Sequence, residues 1–248
     1  MDTPPERLAA PEPTTAAASE VRQRWRLTFA RAVAADADAI PGREYIELWE
    51  AAMAASGLPM ATTDAGRFRF TLGAPMPART AGRAELADLW LTERVAAWRV
   101  REGLGSVLPP GHELIRLEDV WLGAPALVGR IAAADYCVTL RGGIDRTALG
   151  TAARGLLATD QLIRERAKGG GVKTYDLRPL LVSIETDSEE GGAGDQELLV
   201  RMRTRIHPEL GSGRPEEVIA ALGIALGSPL QPVATVRERL VLLEDLDG

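Results

Sequence analysis

A single cysteine among 248 residues, Cys137, excludes an internal disulfide and any Cys-x-x-Cys metal or iron–sulfur site. It lies in the apolar run Tyr136-Cys137-Val138, where a buried, unreactive thiol is expected. Histidine is nearly as scarce. His112 follows Pro109-Pro110-Gly111 and His207 precedes Pro208, so both read as solvent-exposed turn residues. Neither has a cysteine or a carboxylate pair beside it, so no zinc or iron site is expected. The nucleotide signatures GxGxxG and GxxxxGK[ST] and the nucleophile elbow GxSxG are all missing. With no nucleophile–base pair and no metal set, no catalytic residue, metal or cofactor is assigned, and no catalytic activity of its own is expected. No run reaches 18 apolar residues, so a membrane span is not expected. The proline-containing start, with Asp2 and Glu6, does not read as a signal peptide, which makes the cytoplasm the expected compartment.

An apolar fraction of 46% and a charged fraction of 26% suit a soluble globular chain long enough to bury a core. A net charge of −6 argues against a general nucleic-acid coat protein. Only Lys168 and Lys173 are lysines; the other 27 of the 29 basic residues are arginine. A GC-rich genome explains that bias, and the bias still leaves a surface rich in planar forks that grip phosphate or carboxylate.

Residues 1–21 lack periodicity and read as a disordered leader. Trp25, Leu27 and Phe29 then alternate with polar neighbours, the sign of a half-buried strand. A helix follows from Pro41-Gly42 to Ser56-Gly57, carrying Tyr45, Leu48, Trp49, Ala52 and Met53 at helical spacing. Phe68, Phe70 and Leu72 mark a second strand, and Ala87, Leu89 and Leu91 a third. Val95–Leu108 reads as a second helix and Leu114–Leu122 as a fourth strand. The order then restarts with a strand over 136–140 and a helix over 145–167 ended by Gly169-Gly170-Gly171. A strand pair follows over 172–186 and 196–206, joined by a flexible acidic loop at 187–195. The Arg214-Pro215 helix runs through Ala225, and a last strand spans 235–243. The expected fold is therefore α+β: two tandem ferredoxin-like βαββαβ units with antiparallel sheets, spanning 22–123 and 134–243.

Helices in such a unit cover one sheet face, leaving the other to meet a partner or a ligand. Arg24 and Arg26, Arg67 and Arg69, and Arg201, Arg203 and Arg205 fall on the predicted solvent sides of strands. They read either as a solvated face paired with carboxylates or as an anion- or RNA-facing surface. Asp176-Leu177-Arg178-Pro179 gives either an ion pair or an Arg178 facing a phosphate. Gly211-Ser212-Gly213-Arg214-Pro215 gives either a cap by Ser212 or Gly213, or an anion site at a helix start that includes Arg214. The Gly169–Gly171 run follows its helix, so it reads as a C-cap and not as a phosphate loop.

Six segments in order carry a resemblance. They are YIELWEAA leading into SGLP at 45–59, FRFTLGAPMP at 68–77, AELADLWLTE at 84–93, YDLRPLL at 175–181, GSGRPEEV at 211–218 and VRERL at 236–240. Together they resemble the radical SAM-linked protein family, a bacterial domain fused to, or encoded beside, radical SAM enzymes. The resemblance implies a radical SAM protein as partner in trans. The iron–sulfur cluster such chemistry needs takes three close cysteines, so it would reside in that partner. Members of that family carry Ser-His-Leu-Asp-like and Asn-Pro-His-Pro-like runs before the first helix and the second strand. Here those places hold residues 40–45 and 63–67, without histidine.

The expected function is thus an accessory recognition module for a radical SAM enzyme, binding tRNA or rRNA through Arg67, Arg69, Arg178, Arg201, Arg203, Arg205 and Arg214. The alternative is a protein–protein adaptor that binds no nucleic acid. Trp90 is the one aromatic expected on an outward strand position.

Overall fold

The computed structural model describes residues 18–33, 40, 42–168, 171–186 and 197–246. The expected leader up to residue 17, the whole acidic loop at 187–195, and Gly169 and Gly170 lie outside them. Alternation along the first strand, β1 (Gln23–Arg31), turns Trp25, Leu27 and Phe29 toward helices α1 (Gly42–Ala55) and α2 (Ala97–Gly105). Trp49, Ala52 and Met53 of α1, at helical spacing, and Val100 and Leu104 of α2 complete that core. α1 stops where the Ser56 hydroxyl donates to the Met53 carbonyl at 2.7 Å and Gly57 takes the left-handed φ of 63°.

The other strands of this half are β2 (Phe70–Leu72), β3 (Ala81–Leu91) and β4 (His112–Val120). Their order is β4-β1-β3-β2, every neighbour antiparallel. A four-residue helix, α3 (Leu127–Arg130), leads into β5 (Ile131–Leu140) and α4 (Arg146–Ala158), which Asp145 caps by accepting from the amides of Thr147 and Ala148. Next come a hairpin of β6 (Ile163–Lys168) and β7 (Gly171–Asp176), then β8 (Leu181–Thr186), β9 (Leu198–His207) and β10 (Gly211–Ser212). α5 (Pro215–Ala225) and β11 (Pro232–Leu242) close the chain. The order in this half is β11-β5-β9-β8, again antiparallel throughout, around a second apolar cluster that includes Leu140, Leu149, Val200 and Leu222.

The two sets of strands are one sheet. β11 pairs parallel with β3 at Val236–Ala81 and Arg237–Gly82, giving a mixed α+β fold on a nine-stranded, mostly antiparallel sheet. A buried ion pair crosses that seam. Arg237 donates to Glu85 of β3 and to the carbonyls of Ala74 and Pro75, so both side chains are satisfied away from water.

Two expectations change. The helix expected over 145–167 ends at Ala158, and Gly171, the described residue of the glycine run, opens β7, so it does not cap that helix. The apolar stripe of α4 (Leu149, Ala153, Leu156) has no continuation in the charged stretch 164–166, so packing gives a longer helix nothing to bury. Nor do Ser212 or Gly213 cap α5: its N-cap is Arg214, without a side-chain cap, and Gly213 is held instead by the Thr204 hydroxyl, which donates to its carbonyl.

Candidate functional site

The arginines that alternation places on solvent sides have different fates. Arg24 and Arg26 are buried. Both guanidinium groups donate to Asp88 of β3, which is 0% exposed, and Arg24 also reaches the carbonyls of Ala124 and Pro125. The connection that follows β4 thus crosses the helix-free face of the first half and closes it. On the same face of the second half, Asp135 of β5 accepts from Arg203 and Arg239, at 2.7 and 2.8 Å. Burial alone would raise the Asp135 carboxyl, and those two guanidinium donors hold it below the usual carboxylate range.

Arg178 turns its guanidinium onto the backbone. Its three donors go to the carbonyls of Leu157, Thr159 and Leu181, so the cation closes the C-terminal end of α4, where the helix dipole favours it. Asp176 does not pair with it; it accepts instead from the amides of Leu162 and Arg178. Arg67 pairs with Glu50 at 2.7 Å. Arg69 lies over Trp90, 5.0 Å from the ring centre, with Arg24 at 5.2 Å. Arg201 and Arg205 stay exposed on β9, and Arg214 reaches Glu216 only at 3.7 Å. The seven expected binding residues therefore differ in exposure and in partners. Position on a strand could not reveal that a connecting loop covers one face and that carboxylates across the strands occupy much of the rest.

Two features escape sequence reasoning. The first is a cavity of about 740 Å³ between α1 and the segment around β2. Ile46, Phe68, Phe70, Leu72 and Met76 give it apolar walls, while Arg31, Tyr45, Glu50 and Arg67 supply its charged and polar groups. Ile40 and Tyr45, from the segment entering α1, meet Thr63 and Arg67, from the segment before β2, on its wall. Those are the two places where the family resemblance breaks. His112 supports this wall and is no free turn residue. Its Nδ1 sits 3.0 and 3.1 Å from the carbonyls of Pro109 and Pro110 and must carry the proton, so Nε2 accepts from the Tyr45 hydroxyl at 2.8 Å. Burial pulls the imidazole below its ordinary value and pushes the Tyr45 phenol up. His207 is structural too, accepting from the amides of Glu209 and Leu210.

The second feature is β4, the end strand of the sheet among the described residues. Trp121, just past its end, is 77% exposed, and Trp98 on α2, which packs on β4, is 68% exposed. Ile115, the extra residue of the β1–β4 bulge, and Leu122 are exposed as well. Gly123 lets the Trp121 ring lie against the chain, since a Cβ there would come within 2.6 Å of it. A signal for Trp98 does exist in the sequence: it is two residues from Val100, off the buried stripe of α2. Cys137, expected to be buried, is half-buried on β5. Among the described residues, no group of three or more His, Cys, Asp or Glu side chains is placed to hold a metal ion, and no helix is long and apolar enough to cross a membrane.

A family model described as an uncharacterized protein conserved in bacteria (DUF2344) matches residues 24–212. No curated protein matches. Among solved structures, a chain of a Cbf5-Nop10-Gar1 complex aligns with a TM-score of 0.45 and 12% identity, over 86% of this chain and 48% of that one. This chain thus spans about half the length of that neighbour, and so distant a likeness carries no argument.

Proposed function

We propose that this chain, which belongs to the DUF2344 family of uncharacterized proteins conserved in bacteria, is a non-catalytic accessory subunit that docks on a radical SAM enzyme through protein contacts. The observation that carries this reading is the β4 edge. Among the described residues no strand pairs with it on one side, and it is bordered by the two most exposed tryptophans of the fold. Tryptophan in such a position is the residue type over-represented among binding hot spots, and an open edge accepts a partner strand. The radical SAM partner comes from the six-segment resemblance. The inward pairing of Arg24, Arg26, Arg178 and Arg203, and the pairing of exposed Arg67 with Glu50, favour a protein partner over a phosphate backbone, because a guanidinium already satisfied by a carboxylate or carbonyl has less to gain from phosphate.

We read the two halves, 22–123 and 134–243, as tandem ferredoxin-like units fused through one sheet. The order β4-β1-β3-β2, repeated as β11-β5-β9-β8, and the two apolar clusters support this. RNA recognition remains the second reading, favoured by the exposed Arg205 of β9 and Arg214 at the start of α5.

The test is crosslinked affinity purification from host lysate, with and without nuclease, using the wild type and Trp98→Ala and Trp121→Ala variants. A radical SAM protein recovered after nuclease, and reduced tenfold or more by either substitution, is the expected result; truncating such an anchor costs about 2 kcal/mol or more. Recovery of defined RNA that nuclease abolishes, with both variants unaffected, would move the function to RNA and to Arg205 and Arg214.

A further inference from the structure

We infer that the cavity between α1 and β2 is a binding site for a small organic anion, a molecule with an apolar, ring-sized body and one carboxylate, sulfonate or phosphate group. This stands apart from the docking reading, because it rests on an internal cavity and not on the sheet edge.

Size is the first argument. About 740 Å³ lies within the range of roughly 300–1,000 Å³ typical of small-molecule sites, and most of the walls are apolar. Phe68, Phe70 and Met76 offer aromatic and thioether surface of the kind that takes a planar body.

Charge fixes the rest of the ligand. The cavity has two cations, and they differ. Arg67 is matched by Glu50 at 2.7 Å, so that pair is neutral as a unit. Arg31 has no carboxylate within ion-pair distance among the described residues; its guanidinium lies over the Tyr45 ring, 5.0 Å from the centroid. Stacking on a ring face satisfies the flat surface of a guanidinium and leaves its in-plane N–H fork available, and that fork matches two oxygens of one anion.

Tyr45 cannot neutralise the charge. Its hydroxyl proton goes to His112 Nε2, and burial pushes its ionisation above the ordinary phenol value, so it stays neutral. His112 is also neutral and adds no second positive charge. Among the described residues that leaves one unmatched cation in an apolar cavity, which calls for one negative charge on a hydrophobic body.

A matched pair of fluorescent probes separates the terms. 1-Anilinonaphthalene-8-sulfonate carries the anion, and N-phenyl-1-naphthylamine is nearly the same body without it. Both are titrated into the full-length protein, alongside Arg31→Gln and the cavity-filling Ile46→Trp. Cooperative thermal unfolding of each variant establishes that it is folded.

The expected result is one saturable sulfonate site per chain. Arg31→Gln should weaken it tenfold or more, equivalent to about 1.4 kcal/mol, while shifting the neutral probe less than twofold. Ile46→Trp should abolish both. No saturable sulfonate binding by the wild type overturns the inference. So does an Arg31→Gln variant that loses neither probe or loses both equally, or an Ile46→Trp variant that keeps them.

Discussion

Asp88→Ala should be among the most damaging single substitutions in this chain, and its magnitude follows from what the carboxylate does. Asp88 is completely buried and receives hydrogen bonds from Arg24 at 3.0 Å and from Arg26 at 2.8 and 3.0 Å. Removing it leaves two guanidinium groups in the interior with no counter-charge. Breaking one buried pair by deleting one partner typically costs about 3–5 kcal/mol, and here two cations lose the same partner, so ~4 kcal/mol is a lower expectation. Against a total stability of ~5–15 kcal/mol this approaches unfolding. In urea denaturation, with an m value of ~2 kcal/mol/M, the midpoint of the affected transition should fall by about 2 M.

The triple variant Arg24→Met, Asp88→Leu, Arg26→Met tests the reasoning more sharply. Replacing a whole buried ion cluster by apolar side chains is often neutral or stabilising. Here recovery should be incomplete, because Arg24 also donates to the carbonyls of Ala124 and Pro125, and each such hydrogen bond lost costs about 0.5–1.5 kcal/mol. The triple variant should therefore lie between Asp88→Ala and the wild type. A loss below 1 kcal/mol in Asp88→Ala would mean that both arginines can turn to water, and the helix-free face of the first half would again be open to an external anion.

Three further outcomes follow from the same contacts. Arg178→Met should lower stability by about 1–3 kcal/mol in chemical denaturation, with early amide exchange at the C-terminal end of α4, because three carbonyls lose their donor. His112, whose folded value lies below the usual 6.5, binds fewer protons folded than unfolded. Its contribution is therefore present above pH ~6.5 and lost as pH falls through the folded value, and His112→Gln should flatten the melting-temperature profile in that acid window. Asp135 carries the carboxylate version of this behaviour. Its lowered value gives stability above the ordinary aspartate range that disappears as pH falls through the folded value, and Asp135→Asn should remove that acid-side dependence in the same melts.

The order of strands and helices was legible because both halves alternate apolar residues at the right periods: Trp25, Leu27 and Phe29 for a strand, Trp49, Ala52 and Met53 for a helix. Packing then buried those residues as their pattern implied. The β6–β7 hairpin was hidden because Ala/Leu-rich sequence runs into it from α4, and local propensity carries no mark where tertiary packing stops rewarding a helix. The parallel join of β11 to β3 involves only two residue pairs and has no local signal at all. Arginine spacing on strands was read as a solvent face, which holds for Arg201 and Arg205 and fails for the buried Arg24 and Arg26. Period-2 alternation reports which side a residue is on, and whether that side meets water depends on distant segments such as 121–126. The cavity was half legible: the two segments that depart from the resemblance are its walls, and their meeting in space is a property of the fold.

That meeting bears on the missing histidines. His112 reaches the same region from the start of β4, with its ring 5.6 Å from that of Tyr45 and 5.8 Å from that of Trp49, and could be taken for a substitute. Its hydrogen bonds argue otherwise. A histidine that binds metal or moves protons needs a lone pair or a proton to offer outward. In His112, Nδ1–H is directed at two proline carbonyls and the Nε2 lone pair receives the Tyr45 hydroxyl, so both nitrogens are occupied within the protein. Its depressed ionisation removes the charged form as well. The polar chemistry that remains for a ligand in the cavity is the Arg31 fork and the Arg67–Glu50 pair. Among the described residues the groups at this wall suit the inferred anion better than a metal ion, and titration of Arg31→Gln against the paired probes measures that directly.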